Sequence, residues 1–279
     1  MALIYQVPQS VIDDVVASMK ASFLLHPEAV FNSKAENGLR KEVTYRDLDF
    51  LDRIAEKAYE EMVVDSAIGY LKQIGLIDDT ANYDKQSFLE FREYISETFT
   101  QRSWTTITPV MERTIYMLTS VKKPKTMIEL GCFWGNTLAW FAGPCLGPTP
   151  HFEPHAIYGI DVDENAIKAA RDNFSTIAKP SCLEIICEDA RQTLKRLDGP
   201  FDFVYLEARV RGGDDLYFPL LKQLYDKLLK GAWIIAHDAT LYRRKAAIKD
   251  YLSFVRDKNH FSESIIFDID GYGLELTIK

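Results

Sequence analysis

Residues 126–142, TMIELGCFWGNTLAWFA, constrain the fold more than any other stretch of the chain. They open with an apolar run of strand type over 127–130, and an acid, Glu129, sits inside that run near its end. Two glycines four apart, Gly131 and Gly135, follow in a turn. Asn136 and Thr137, residue types that cap helices, then lead into an apolar helical segment. Strand, glycine turn and helix are the opening of a nucleotide-binding βαβ unit, which predicts an α/β fold with a mostly parallel sheet. The glycines admit positive φ and let backbone approach a ligand closely. A dinucleotide site wants G-x-G-x-x-G, so that a pyrophosphate meets the helix N-terminus. Here the pattern is E-x-G-x-x-x-G, with Phe133 and Trp134 where a phosphate needs open backbone.

The downstream chain repeats the strand-then-acid arrangement. A strand over 156–160 ends at Asp161, about 30 residues past Gly131, with Asp163 as a candidate cap for the helix that follows. The segment CLEIIC ends at Glu188, Asp189 and Ala190, and FDFVYL over 201–206 ends at Glu207. A polar loop, 209–215, precedes a helix predicted over 217–229 with Gly231 just past its end. A fifth strand, 232–236, leads into His237, Asp238, Ala239 and Thr240, and a helix is predicted from about 244 to 257. Strands over 264–269 and 274–278 flank Asp270–Gly271–Tyr272–Gly273, a hairpin signal. Upstream, 105–121 reads as a helix with Pro109 in its first turn. Residues 1–104 show helical periodicity over 11–23, 44–70 and 87–99 and no strand signal.

The loop E-L-G-x-x-x-G resembles the first motif of the class I S-adenosylmethionine (SAM) methyltransferases, in the form found in small-molecule O-methyltransferases similar to catechol O-methyltransferase. The resemblance covers roughly 105–279, and its motifs are specific through their order and spacing rather than singly. It implies a seven-stranded Rossmann-like sheet with helices on both faces and an antiparallel last strand. It also implies that SAM, and its demethylated product S-adenosylhomocysteine (SAH), contact Glu129, Gly131, Cys132, Gly135 and Glu207. Asp161 takes the place of the acid that accepts both ribose hydroxyls, a geometry a carboxylate holds well. Asp189 and Ala190 match the turn that meets adenine. In the metal-dependent members, acids after the fourth and fifth strands and a neighbouring Asn hold a divalent ion that lowers the pKa of the acceptor hydroxyl. The matching positions here are Glu207, Asp238 and Ala239, so one acid is longer and the Asn oxygen is missing. The expectation is therefore transfer without a metal, with His237 or Asp238 as base and Glu207 shaping the local field. Residues 1–104 form a helical extension, expected to cap the acceptor pocket and to make a homodimer; Tyr5, Phe23, Phe31, Tyr45 and Tyr59 supply aromatic surface for it.

Composition narrows the partners. A net charge of -8 argues against a nucleic-acid surface, and Arg243–Arg244–Lys245 reads as a solvated helix start. No apolar run approaches the roughly 20 residues of a membrane span, and no secretory leader is legible. Four cysteines without a CxxC pair suit reduced thiols in the cytoplasm. The expected activity is methylation of a small-molecule hydroxyl. The alternatives are N-methylation of a small amine or amino acid, a nicotinamide-dependent oxidoreductase, and a non-catalytic SAM-binding subunit.

Overall fold

The computed structural model describes residues 3–11, 13–14, 53–100, 107–146, 150–175, 177, 182–209, 216–240, 248–270 and 272–279. Its strands are β1 (Leu3–Gln6), β2 (Thr126–Leu130), β3 (Ala156–Asp161), β4 (Leu183–Cys187), β5 (Phe201–Leu206), β6 (Leu228–His237), β7 (Glu263–Asp268) and β8 (Leu274–Ile278). The helices are α1 (Arg53–Gln73), α2 (Lys85–Thr98), α3 (Pro109–Lys122), α4 (Asn136–Leu146), α5 (Glu164–Ser175), α6 (Ala190–Arg196), α7 (Tyr217–Leu224) and α8 (Lys249–Val255).

One sheet runs β1-β7-β8-β6-β5-β2-β3-β4. β8 pairs antiparallel with both β6 and β7, and every other pairing is parallel. The alternation of side chains along the strands divides the core in two. Met127, Phe203, Tyr205, Trp233 and Ile235 face a layer that takes in α1 to α5. Ile128, Val204, Leu206, Ile234 and Ala236 face α6, α7 and α8. Both faces are covered, which is why the parallel strands read as continuous apolar runs.

Three expectations are corrected. Among the described residues the sheet has eight strands, not seven, because Leu3–Gln6 pairs with β7 in a region that showed no strand signal. Four residues, with only Tyr5 buried, are too few to show a period, and the neighbour alone makes them a strand. The helix predicted over 217–229 ends at Leu224, a 3₁₀ turn covers Tyr225–Lys227, and β6 begins at Leu228. Gly231 thus lies within β6, at φ 78, and not past a helix end. Asn136 does not cap α4: it is the helix's first residue, and its amide atoms have no hydrogen-bond partner among the described residues.

The helices over 11–23 and 44–70 fall largely or partly outside the described residues, as do Phe23, Phe31, Tyr45 and the first residues of the helix predicted from 244. α3 begins as its sequence dictates, with Thr108 accepting from the Met111 N–H and Pro109 at the first helical position. The Thr108 hydroxyl also donates to Asp270 at 2.5 Å, tying the start of α3 to the β7–β8 turn. Phe88 and Phe91 of α2 are fully buried against Tyr116 of α3 and Trp140 of α4. Arg113 of α3 is 1% exposed; it donates to the Tyr83 hydroxyl at 2.6 Å and pairs with Glu61 of α1 at 3.2 Å. Its guanidinium lies 5.1 Å from the Phe88 ring centroid.

Candidate active site

β6, β5, β2, β3 and β4 are successive neighbours in the sheet, so the turns after their carboxyl ends line one edge of it. After β2, the Gly131 and Cys132 amides both donate to the Ile160 carbonyl, at 2.8 and 3.1 Å, and the Gly135 amide closes the turn onto the Cys132 carbonyl at 2.7 Å. Gly131 has φ 97, Phe133 φ 44 and Gly135 φ 80. A Cβ on Gly131 would lie 2.7 Å from the Ala208 amide nitrogen, and one on Gly135 would lie 2.7 Å from the Phe174 ring. The two glycines are therefore required by the protein's own packing, beyond any need of a ligand. Phe133 holds a left-handed conformation that is unfavourable for a bulky residue, a kind of strain that concentrates at functional turns.

Asp161, at the end of β3, accepts from the Phe133 amide at 2.9 Å and from the Asp163 amide at 3.0 Å. A carboxylate offers about four acceptor positions, so capacity is left beyond these two bonds. Asp163 caps α5 as its sequence suggests, accepting from Asn165 and Ala166. Glu188 donates its amide to the Asp161 carbonyl, which joins the β4 turn to the β3 turn. Asp189 caps α6 and ion-pairs with Arg191, whose hydrogen bonds hold the carboxyl below its usual range. Ala190 is the first residue of α6. These two lie further along the edge, past Asp161.

Glu129 is fully buried, and both its carboxylate oxygens lack a hydrogen-bond partner among the described residues. Burial above all, then the charges of Glu207 and Asp161, push its carboxyl well above the ordinary range, which favours its protonated form. Cys132 is likewise buried, and burial pushes its thiol up, which leaves it a packing group and not a nucleophile. The state of Glu129 makes a prediction. The folded chain keeps a proton that the unfolded chain releases above about pH 4.3, so this group's contribution to stability falls as pH rises from there. In Glu129→Gln, thermal midpoints of ligand-free protein between about pH 5 and 8 should fall less steeply than in the wild type. Parallel curves would refute the protonated Glu129.

Past β5 and β6, Glu207, His237 and Asp238 come together, with one ligand atom from each all within 4.8 Å of one another. His237 Nδ1 lies 3.2 Å from Glu207 Oε1 and 3.6 Å from Asp238 Oδ1. Glu207 also accepts from the Tyr205 hydroxyl at 3.1 Å. Burial opposes ionisation of Glu207, but His237, Arg209 and the Tyr205 hydroxyl outweigh it and hold the carboxyl below its usual range. In the tautomer that carries its proton on Nδ1, His237 donates a hydrogen bond to Glu207 and Nε2 is left as the acceptor nitrogen. Nε2 is buried and has no partner among the described residues, while the Tyr272 ring lies 5.9 Å away, tilted by 32°. Asp238, at φ 60, is ion-paired with Arg209. Glu207, with its side chain 25% exposed, is the member of the trio that reaches the surface.

The donor set departs from an all-oxygen magnesium site: Ala239 brings no ligand atom, the third candidate donor is the His237 imidazole, and Asp238 already holds a guanidinium. Three residues of this edge had no signal in the sequence. Asn136 looked like a cap, Arg209 one more residue of a polar loop, and Tyr272 part of a turn. Tyr272 is fixed over His237 because Asp270 accepts from the Tyr272 and Gly273 amides while Thr240 donates its amide to the Tyr272 carbonyl.

Comparison with known proteins bears on the domain and its fold. Residues 128–217 match the family model of a methyltransferase domain. This segment is a methyltransferase domain. No curated protein matches the chain in sequence. The SAH-bound methyltransferase of Podospora anserina is 17% identical with a TM-score of 0.54, over 78% of this chain and 95% of its own. The O-methyltransferase of Bacillus cereus in complex with SAH is 12% identical with a TM-score of 0.52, over 77% of this chain and 100% of its own. The O-methyltransferase TomG of Streptomyces achromogenes, involved in tomaymycin synthesis and in complex with SAM, is 14% identical with a TM-score of 0.52, over 76% and 95%. At such identities the likeness shows the fold: a class I methyltransferase fold to which β1 is added at the edge.

Proposed function

We propose that this chain is a SAM-dependent methyltransferase that methylates a small-molecule hydroxyl without a metal ion. The observation that carries the reading is the cluster of Glu207, His237 and Asp238 on the strand tips adjoining the glycine loop. The orphaned Glu129 carboxyl group and Asn136 amide suit a polar ligand lying over that loop, since buried polar groups are ordinarily satisfied. In this reading Gly131, Cys132 and Gly135 present backbone to the ligand, Asp161 takes the ribose with its remaining acceptor capacity, and Asp189 and Ala190 meet the adenine. Bound SAM supplies an electrophilic methyl on a sulfonium. The protein aligns the acceptor oxygen with it and removes the acceptor's proton. Glu207 and His237 are the proton-accepting pair, the carboxylate at the surface and the imidazole behind it, and Asp238 with Arg209 sets the field around them.

No helix among the described residues is long and apolar enough to cross a membrane. All four cysteines are free, which suits a cytoplasmic setting. The net charge favours a small acceptor over nucleic acid. Residues 1–104 complete the acceptor pocket and a homodimer; light scattering that returned a monomer mass would remove the dimer.

Calorimetry with SAM, SAH and NAD tests the cofactor, and saturable NAD binding without SAM binding would replace this reading by an oxidoreductase. Methyl transfer to a panel of phenols and alcohols is expected to survive chelation and to fall at least about 100-fold in Glu207→Gln and His237→Ala. Activity lost to chelator and restored by magnesium would overturn the metal-free mechanism. Full turnover in both variants would overturn the proton-accepting pair.

A further inference from the structure

The positive charge at this site comes from a side chain. Asp238 Oδ2 is paired with Nη2 of Arg209, and the Asp238 side chain is 6% exposed, so a carboxylate that is costly to bury has a guanidinium as counter-ion. The two residues come from the turns after neighbouring strands, β5 and β6. Asp238 Oδ1 and Glu207 Oε1 both face His237 Nδ1, at 3.6 and 3.2 Å, so the cluster presents two carboxylates and an imidazole, with the Arg209 guanidinium paired to Asp238. A divalent ion seated on those atoms would have to share Asp238 with the guanidinium and bear its repulsion at close range. A guanidinium is the least readily deprotonated of the side-chain cations. Its side chain is 45% exposed, so this charge is within reach of a bound ligand.

We propose that Arg209 is the resident cation of the site: it holds Asp238 and keeps divalent metal off the Glu207–His237–Asp238 cluster. The inference shares the site with the methyltransferase reading, which supplies only the role of the cation, a positive charge beside the oxygen that loses its proton.

The test needs no acceptor. Ligand-free protein is titrated calorimetrically with MnCl2 and with MgCl2. The wild type should show no saturable uptake at this cluster. Arg209→Ala and Arg209→Gln should each gain a Mn2+ site at least about tenfold tighter than any in the wild type, and adding Asp238→Ala should abolish it. Arg209→Lys keeps the charge and should still exclude the ion. The inference is overturned if neither neutral variant gains a site, or if the wild type already binds Mn2+ in a manner that Asp238→Ala removes. Failure of SAM to bind the same wild-type protein would count against the methyltransferase reading alone.

Discussion

Replacing Gly131 by alanine should abolish SAM binding and destabilise the fold by roughly 2–5 kcal/mol. Two costs act together. At φ 97 an L-residue is strained, and the new Cβ would meet the backbone of Glu207 and Ala208 at 2.7 to 2.9 Å. Those atoms belong to the turn after β5 and cannot swing away as the tip of a flexible side chain would. Relief requires the β2 and β5 turns to part, which also displaces Glu207 from His237. Gly231 provides the control, since it has φ 78 but a Cβ added there would meet nothing within 4 Å. Gly231→Ala should therefore cost only the strain, about 1 kcal/mol. Urea titrations of both variants, with SAM calorimetry, check this; equal losses at the two positions would refute the part assigned to close approach.

Arg113→Ala should destabilise the chain by roughly 3–5 kcal/mol, the cost of breaking a buried ion pair. Arg113 is wedged between Tyr83 and Phe88, with Glu60 at 3.8 Å and Glu61 at 3.2 Å. Its loss leaves a cavity between α1, α2 and α3 and strips the Tyr83 hydroxyl of its 2.6 Å donor. Arg92, paired with Glu60 at 2.7 Å, retains part of the network. Arg113→Met fills the volume and should recover some of the loss. An unchanged urea midpoint in Arg113→Ala would show that α1 and α2 are held by apolar packing alone.

The tips of β2, β3, β4 and β5 were legible because each of these strands is a largely apolar run of five or six residues with an acid at or beside its end, as in IEL at β2, YGID at β3 and FVYLE at β5. The proximity of Glu207 and His237 followed from strand order once the fold class was in hand. β6 began earlier than its sequence suggested because Leu228–Leu229–Lys230–Gly231 reads like a helix running into its terminal glycine. Packing against β5 and β8 decided otherwise. Arg113, Glu60 and Tyr83 carry no local pattern at all, since their pairing depends on α1, α3 and the segment before α2 meeting. Arg209 was hidden for the same reason: an arginine in a polar loop reads as solvated until the buried aspartate that it faces is placed.

β1 bears on how the chain reaches its native state. Leu3 pairs with Ile265, so nearly the whole sequence lies between the two partners. During synthesis β1 emerges long before β7 exists, and among the described residues it has no other strand neighbour in the finished sheet. Its backbone groups must wait in water while α1 to α5 and the central strands assemble, and closing so long a loop comes late and slowly. Of the described strands, β1 is thus made well before its partner and docks only after it, and until then β7 presents an open edge to which the matching strand of another copy could add.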